Sequence, residues 1–196
     1  MISDLLNKTL QPGYVAEMHV HVGSRVEIES GPRECSGKDA PLSIPAIFPD
    51  SIEVLVYDME SGYTLVGAVE LVSPGNKDRE EARRGFAAKC AAYLQQGVGL
   101  ITVDVVTMRS SNPHNDLVDL LGVGGQYRLA EMGMYAVAYR PLRRTDSERI
   151  DVWPSELSVG RPLPVLPLGL DKGLCVPVDL ETAYVEACQR SRLPAG

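Results

Sequence analysis

The chain has 196 residues, of which 44% are hydrophobic and 23% charged, a profile typical of a globular domain with its own core. Its net charge of −7 opposes general binding to nucleic acid, which requires cations to replace phosphate counterions, but leaves a local basic groove open. No apolar run approaches roughly 18 residues, and the start shows no signal peptide. We therefore expect a cytoplasmic protein without a membrane partner.

The first part of the chain alternates between short predicted elements and turns. Residues 2–11 carry apolar side chains at helical spacing, and residues 14–29 alternate as one strand or a hairpin. Residues 30–50 contain four prolines and two glycines, which predicts a long loop. Residues 51–58 and 63–72 are both strand-like and predict a β-hairpin.

A crossover unit follows the hairpin. A helix is predicted to begin near Asn76 or Asp78, with Asp78 and Glu81 forming a capping box, and to run to about Gln96. Residues 98–106 then form a second strand that is apolar on both faces. Because a strand, a helix and a strand occupy about 40 residues, the two strands should be parallel neighbours.

The remaining residues complete a single α/β domain. Residues 109–126 are predicted to be loop with a short turn of helix, and residues 134–142 form a further strand. The segment 157–192 runs extended between prolines and closes with an amphipathic helix. We expect one domain over residues 1–196, with a mixed β-sheet core at about 14–142.

Glu70 is a charged residue inside an otherwise apolar strand. Period-two alternation places it on one face with Ala68 and Val72, and places Leu65 and Val69 on the other. A buried, unpaired carboxylate costs several kcal/mol or takes up a proton. Glu70 therefore needs a cation, a metal ion or hydrogen-bond donors, and pairing with an arginine or capping of a loop would also satisfy it.

Lys89 lies inside the apolar stripe of the crossover helix, between Phe86 and Tyr93. In one interpretation its stem is buried and its ammonium reaches water. In the other, the ammonium meets Glu70. A carboxylate and a lysine on a covered sheet suit metal-assisted phosphodiester hydrolysis, with Mg²⁺ on Glu70 and Lys89 positioning a water or stabilising negative charge.

The stretch "AVELVSPGNK" (68–77) resembles the motif I-E-x-L-S-P-x-N-K of the bacterial family called domain of unknown function 4058. The similarity continues through "AAKCAAYLQQGVGLITVDVV" and into the proline-rich "PLPVLPLGL" and "VDLETAYVEAC". It covers roughly residues 1–190. The S-P-x-N-K signal is the most specific part of it.

The same helix and strand resemble the Uma-type branch of the PD-(D/E)XK nuclease superfamily, whose pattern is E-V-x-S-P, a helix lysine and Y-x-x-x-G-V. In that branch the lysine of E-x-K has moved from the strand, where this chain has Val72, to the helix. The resemblance implies a restriction-endonuclease-like core and a Mg²⁺-dependent nuclease. The matching residues here are Glu70, Ser73, Pro74, Lys89, Tyr93, Gly97 and Val98.

The chain lacks the upstream R-P-D triplet that supplies a second metal-binding carboxylate in the family. Glu27, Glu29, Asp50 and Glu53 are candidates to replace it. If the hairpin turns at 59–62, Asp50 and Glu53 are nearest in register to the metal-binding glutamate. Asp104, in the following parallel strand, is another candidate neighbour.

Two functions remain open from the sequence. The first is a Mg²⁺-dependent nuclease acting on nucleic acid, with Glu70 and Asp50 or Glu53 as metal ligands and Lys89 as a catalytic residue. The second is a nuclease fold without catalysis, kept as a binding or structural module, with Glu70 and Lys89 as a buried ion pair. The acidic charge and missing R-P-D favour the second, and the retained pair favours the first. The oligomeric state is open, a homodimer included.

Three weaker signals accompany these residues. His19 and His21 share a strand face and could bind zinc if a third ligand were present. Asn76 and Lys77 at a helix N-terminus could contact a phosphate, although helix capping is the commoner role. His114 is predicted to lie far away in a loop.

Overall fold

The computed structural model describes residues 1–21, 51–130, 133–144 and 147–192. The predicted end of the first strand or hairpin and the predicted loop at 30–50 lie outside these residues. The helices and strands in chain order are α1 Ile2–Thr9, β1 Tyr14–His21, β2 Ser51–Asp58, β3 Thr64–Leu71, α2 Pro74–Asp78, α3 Glu80–Gln95, β4 Gly99–Asp104, α4 Pro113–Leu121, β5 Tyr135–Arg144, β6 Ser147–Glu156, β7 Val165–Gly169, β8 Cys175–Asp179 and α5 Leu180–Arg190.

Six strands form a mixed sheet in the order β1-β2-β3-β4-β5-β6. Strands β3 and β4 are parallel, and the other neighbouring pairs are antiparallel. The predicted hairpin and the predicted parallel pair are therefore confirmed, and the chain is an α/β protein. None of the helices in the described ranges has the length and apolar character needed to cross a bilayer.

Each face of the sheet is covered by its own apolar cluster. On the face that we call the hairpin face, α1, α5 and the β7–β8 hairpin pack over the sheet through residues such as Leu6 and Leu168. On the opposite face, the helix face, α3 and α4 pack through residues such as Phe86, Leu94 and Leu117. Coverage of both faces explains why β3 and β4 are apolar throughout except for a few polar positions.

Gly99 shows how closely the hairpin face is packed. A Cβ atom at this position would lie 2.0 Å from the carbonyl oxygen of Gly169 on β7, which is shorter than a real contact allows. Only glycine lets the backbones of β4 and β7 approach this closely.

The crossover helix begins earlier than predicted and is interrupted. The backbone is extended at Arg79 (φ −117°, ψ 153°), which separates α2 from α3. The capping box forms between Ser73 and Asn76, so the predicted box between Asp78 and Glu81 is wrong. The reason is local: Ser73 and Asn76 hydrogen-bond each other's backbone N–H groups one turn before Asp78.

Two further elements differ from the predictions. Residues 113–121 form the nine-residue helix α4, capped by Asn112, where a loop with a short turn of helix was expected. Strand β6, which was not predicted, pairs with β5 and is the last strand of the sheet. The extended C-terminal segment folds into the β7–β8 hairpin before the predicted final helix, which is confirmed as α5.

Candidate functional site

Glu53 and Glu70 are directly opposite each other on the antiparallel strands β2 and β3. The predicted partner position of Glu70 was about 51. The difference arises because the register shifts at a bulge between Val56 and Tyr57, and because the hairpin loop is longer than expected. The same shift places Leu65 on the helix face, the face that Glu70 occupies, although Leu65 was predicted to point to the other face of the sheet.

Lys89 reaches both carboxylates from helix α3. Its Nζ atom lies 2.6 Å from Glu53 Oε2 and 2.7 Å from Glu70 Oε1. The hydroxyl of Tyr93, one helical turn further along, donates to Glu53 Oε2 at 3.0 Å. Of the two interpretations of Lys89, this contact agrees with the one in which its ammonium meets Glu70. We call Glu53, Glu70, Lys89 and Tyr93 the carboxylate cluster.

The two carboxylates are buried and share one proton at neutral pH. Glu70 is 1% exposed and Glu53 is 6% exposed. Burial, together with the hydrogen bond to Glu53, raises the pKa of Glu70 to about 8 against the opposing effect of Lys89. Burial would also raise the pKa of Glu53, but hydrogen bonds from Glu70 and Lys89 lower it to about 2. Glu70, the more deeply buried of the two, therefore favours the proton, and Glu53 favours the negative charge.

The cluster is electrically balanced in this state. The side chain of Lys89 is 33% exposed, and although desolvation lowers its pKa, its hydrogen bonds to the two glutamates raise it overall. The ammonium charge therefore offsets the single negative charge on Glu53. Glu70 Oε1 accepts no well-directed hydrogen bond from the described residues, although the ammonium lies beside it.

One side of the cluster faces strand β1. His21 Nε2 lies 3.6 Å from Glu53 Oε1, and its imidazole is 64% exposed. His19 is opposite Glu53 in the sheet, and its Nε2 lies 3.6 Å from a carboxylate oxygen of Glu17. Within the described ranges, no three His, Cys, Asp or Glu side chains form a group that could hold a metal ion by themselves. The two histidines therefore find no third ligand there.

The other candidates for a second carboxylate have different outcomes. Glu27, Glu29 and Asp50 lie outside the described residues. Asp104 does not join the cluster, because Glu70 is opposite Thr102 and Asp104 lies two residues further along β4. Glu53 is thus the candidate carboxylate that the described structure brings to Glu70.

Asp104 instead forms a second buried ion pair, which sequence reasoning missed. Lys77 Nζ lies 2.8 Å from Asp104 Oδ2 and donates to the Val106 carbonyl at 3.0 Å. The N–H of Val106 donates to Asp104 Oδ1. Lys77 therefore points inward, and its predicted alternative role as a phosphate contact is not supported. Asp104 lies just beyond the paired end of β3, next to the point where the chain leaves β3 and enters α2.

His114 was predicted to lie in a loop, but it lies in the first turn of helix α4 and is buried. Its Nδ1 lies 2.8 Å from the Tyr139 hydroxyl, and its Nε2 lies 2.9 Å from the carbonyl oxygen of Tyr127. Because a carbonyl only accepts, Nε2 carries the proton and Nδ1 accepts from Tyr139. Burial lowers the pKa of His114, so the ring is neutral and fastens α4 to the sheet.

The donor set of the cluster fits Mg²⁺ in part. Mg²⁺ prefers oxygen ligands and is usually bound through one or two carboxylates, with waters and substrate phosphate oxygens completing its shell. Glu53 and Glu70 supply two carboxylates, and these lie close together because both contact the same Lys89 ammonium.

Comparison with models of protein families, with curated proteins and with solved structures gives no match.

Proposed function

We propose that the chain is a Mg²⁺-dependent nuclease that hydrolyses phosphodiester bonds on a PD-(D/E)XK-like α/β core. The observation that carries this proposal is that Glu53 and Glu70 face each other on neighbouring strands and share the Lys89 ammonium. A mixed sheet with the crossover helix on the carboxylate face is compatible with such a core. The resemblance of the stretch from Glu70 to Val98 to the Uma-type branch of the PD-(D/E)XK nuclease superfamily supports it.

Glu53 would replace the carboxylate of the missing R-P-D triplet; it lies on the strand just upstream of Glu70 and directly opposite it, which supports this role. Glu53 and Glu70 would hold the metal. Mg²⁺ bound there would polarise a phosphate oxygen and lower the pKa of a water. To become a ligand, Glu70 must first release the proton that it holds at neutral pH, so binding should release about one proton.

Lys89 remains charged and its side chain is partly exposed, so its ammonium can move away from the carboxylates towards solvent. A fixed cation beside the reacting phosphate would stabilise the negative charge that develops on its oxygens. Since the whole chain is acidic, this local charge has to act against the general repulsion of a nucleic acid.

The alternative function is a nuclease fold without catalysis, kept as a binding or structural module. It is favoured by the charge balance of the cluster, because Lys89 and one proton satisfy both carboxylates without a metal. In that case the cluster is a buried ion pair network, in which removing the charge of Glu53 or of Lys89 leaves the other charge without its partner. The two functions differ in whether a divalent cation binds at Glu53 and Glu70.

Calorimetric titration with Mn²⁺, a substitute for Mg²⁺, tests the proposal without knowledge of the substrate. The titration is run on the wild type, on Glu53→Gln and Glu70→Gln, and on Glu80→Gln as a matched control at an exposed position of α3. Binding that is lost in both cluster variants and kept in the control supports the nuclease. Repeating the titration in buffers of different ionisation enthalpy counts the released proton.

A second series adds a phosphorothioate oligonucleotide, which resists hydrolysis, to supply phosphate ligands. If Mn²⁺ binds to the wild type in neither series, the metal-dependent function is wrong and the structural alternative stands. If it binds, cleavage of single- and double-stranded oligonucleotides is measured with Mg²⁺, and activity should be lost in Glu70→Gln.

A further inference from the structure

The two oxygens of the Glu53 carboxylate have different surroundings. Oε2 faces helix α3 and has two close partners, Lys89 Nζ at 2.6 Å and the Tyr93 hydroxyl at 3.0 Å. Oε1 faces strand β1, where its neighbour is the exposed imidazole of His21 at 3.6 Å. Two donors of helix α3 thus hold Oε2, and Oε1 lies beside the exposed His21; the hydrogen bond from Glu70 is a further contact of this carboxylate.

We propose that Tyr93 is a positioning residue that holds Glu53 Oε2 against helix α3, so that Oε1 is the oxygen that remains available to a bound cation. The cation in this statement rests on the proposed function. The orientation of Glu53 does not, because it follows from the contacts within the carboxylate cluster.

Lys89 alone is poorly suited to this task. Its ammonium is shared with Glu70, and it ends a flexible four-carbon chain that is partly exposed. Tyr93 has a rigid ring with two side-chain torsions, and its hydroxyl proton is directed at a single oxygen. The Tyr93 ring also lies under the Lys89 ammonium, 5.8 Å from the ring centroid, so it supports the lysine as well.

The hydroxyl of Tyr93 is the donor in its hydrogen bond to Glu53. Burial, followed by the charges of Glu70 and Glu53, raises its pKa well above the usual value. Tyr93 therefore acts as a permanent donor to Glu53 and takes no part in proton transfer. Its effect on a reaction would be exerted through the orientation and charge of Glu53.

The variant Tyr93→Phe removes the hydroxyl and keeps the ring. Titration of the ¹³C-labelled glutamate carboxyl groups by NMR should show the pKa of Glu53 rising by about one to two units, because a hydrogen bond to a charged group is lost. The Mn²⁺ dissociation constant should rise by about tenfold, the usual effect of losing a group that orients a ligand. Tyr127→Phe, which changes an exposed tyrosine, should alter neither quantity.

The two measurements separate this inference from the proposed function. An unchanged Glu53 pKa in Tyr93→Phe overturns the positioning role, whatever the metal does. A raised pKa with no Mn²⁺ binding to the wild type supports the positioning of Glu53 but refutes the metal site. A raised pKa and weaker Mn²⁺ binding, with cooperative unfolding preserved, is the result that we expect.

Discussion

Replacing Glu70 with glutamine should stabilise the protein at alkaline pH. The wild-type carboxyl group is buried and protonated at neutral pH, donating to Glu53. Glutamine is a permanently neutral analogue of this state, since its amide N–H can donate to Glu53 while its oxygen faces Lys89. The variant keeps the hydrogen bonds of the protonated form and cannot lose the proton.

The size of the effect follows from the pKa of Glu70, which is raised from 4.5 to about 8. A raised folded-state pKa means that the contribution to stability is complete below the unfolded pKa and is lost as pH rises through the folded pKa. Between about pH 7 and pH 9, loss of this proton should lower the unfolding free energy of the wild type by about 1–2 kcal/mol. Glu70→Gln should lose none of it.

Glu53→Gln is the matched comparison and should behave in the opposite way. Glu53 is the ionised member of the pair, and its charge is the partner of Lys89. Removing it should destabilise the protein by about 3 kcal/mol, the lower end of the range for breaking a buried pair, because Lys89 is partly exposed to screening solvent.

Urea unfolding at pH 7, 8 and 9 checks both expectations. Trp153 is a suitable fluorescent reporter, because it packs against the hairpin-face cluster and beneath the guanidinium of Arg140. The reasoning is refuted if the wild type and Glu70→Gln lose stability in parallel as pH rises. It is equally refuted if Glu70→Gln is as unstable as Glu53→Gln at every pH.

Three further predictions concern the frame around the cluster, and each is checked by denaturant unfolding. Lys77→Met should cost about 3–5 kcal/mol, since it leaves Asp104 buried without its cation, and the double variant with Asp104→Leu should recover most of this loss. Because burial lowers the pKa of His114, wild-type stability should fall as pH drops below the unfolded value of about 6.5, and His114→Gln should lack this component. Gly99→Ala should lower the unfolding free energy by about 3 kcal/mol, because the added methyl group overpacks the contact with β7. Gly85→Ala, in open space on α3, should raise it by up to about 1 kcal/mol. Equal effects at the two glycines would contradict the close approach of β4 and β7.

The central part of the fold was predictable because its signals are local. The hairpin has two apolar strands separated by a short polar turn, and the crossover has a strand, a helix and a strand in sequence. Two periodicities indicated that Glu70 and Lys89 could meet: two residues in the strand orient Glu70, and about 3.6 residues per turn in the helix orient Lys89 towards the sheet. A charge that interrupts an apolar pattern on each element then predicts a meeting between them, and the structure shows it.

The identity of the second carboxylate could not be derived in the same way. It depends on register, and register depends on loop length and on the bulge between Val56 and Tyr57. A bulge inserts one residue and leaves no distinctive mark in the sequence. Strand β6 escaped prediction for a different reason: its segment "SERIDVWPSE" is polar and contains proline, which is tolerated because the strand is the last of the sheet.

The two buried lysine–carboxylate groups on the helix face show why burial of charge alone does not mark a site. Lys77 and Asp104 are closed off from solvent, and each also hydrogen-bonds the backbone of Val106. This buried pair is out of reach of a ligand and fastens α2 to the end of β4.

The carboxylate cluster has the same residue types but differs in three respects. It contains two acidic groups for one cation, it holds a proton at a pKa of about 8, and one carboxylate oxygen faces an exposed histidine. An excess of acceptors with an accessible side is what a divalent cation requires, because a cation can displace the proton and add waters. If Mn²⁺ binds neither group, this distinction is wrong, and both clusters have the same structural purpose.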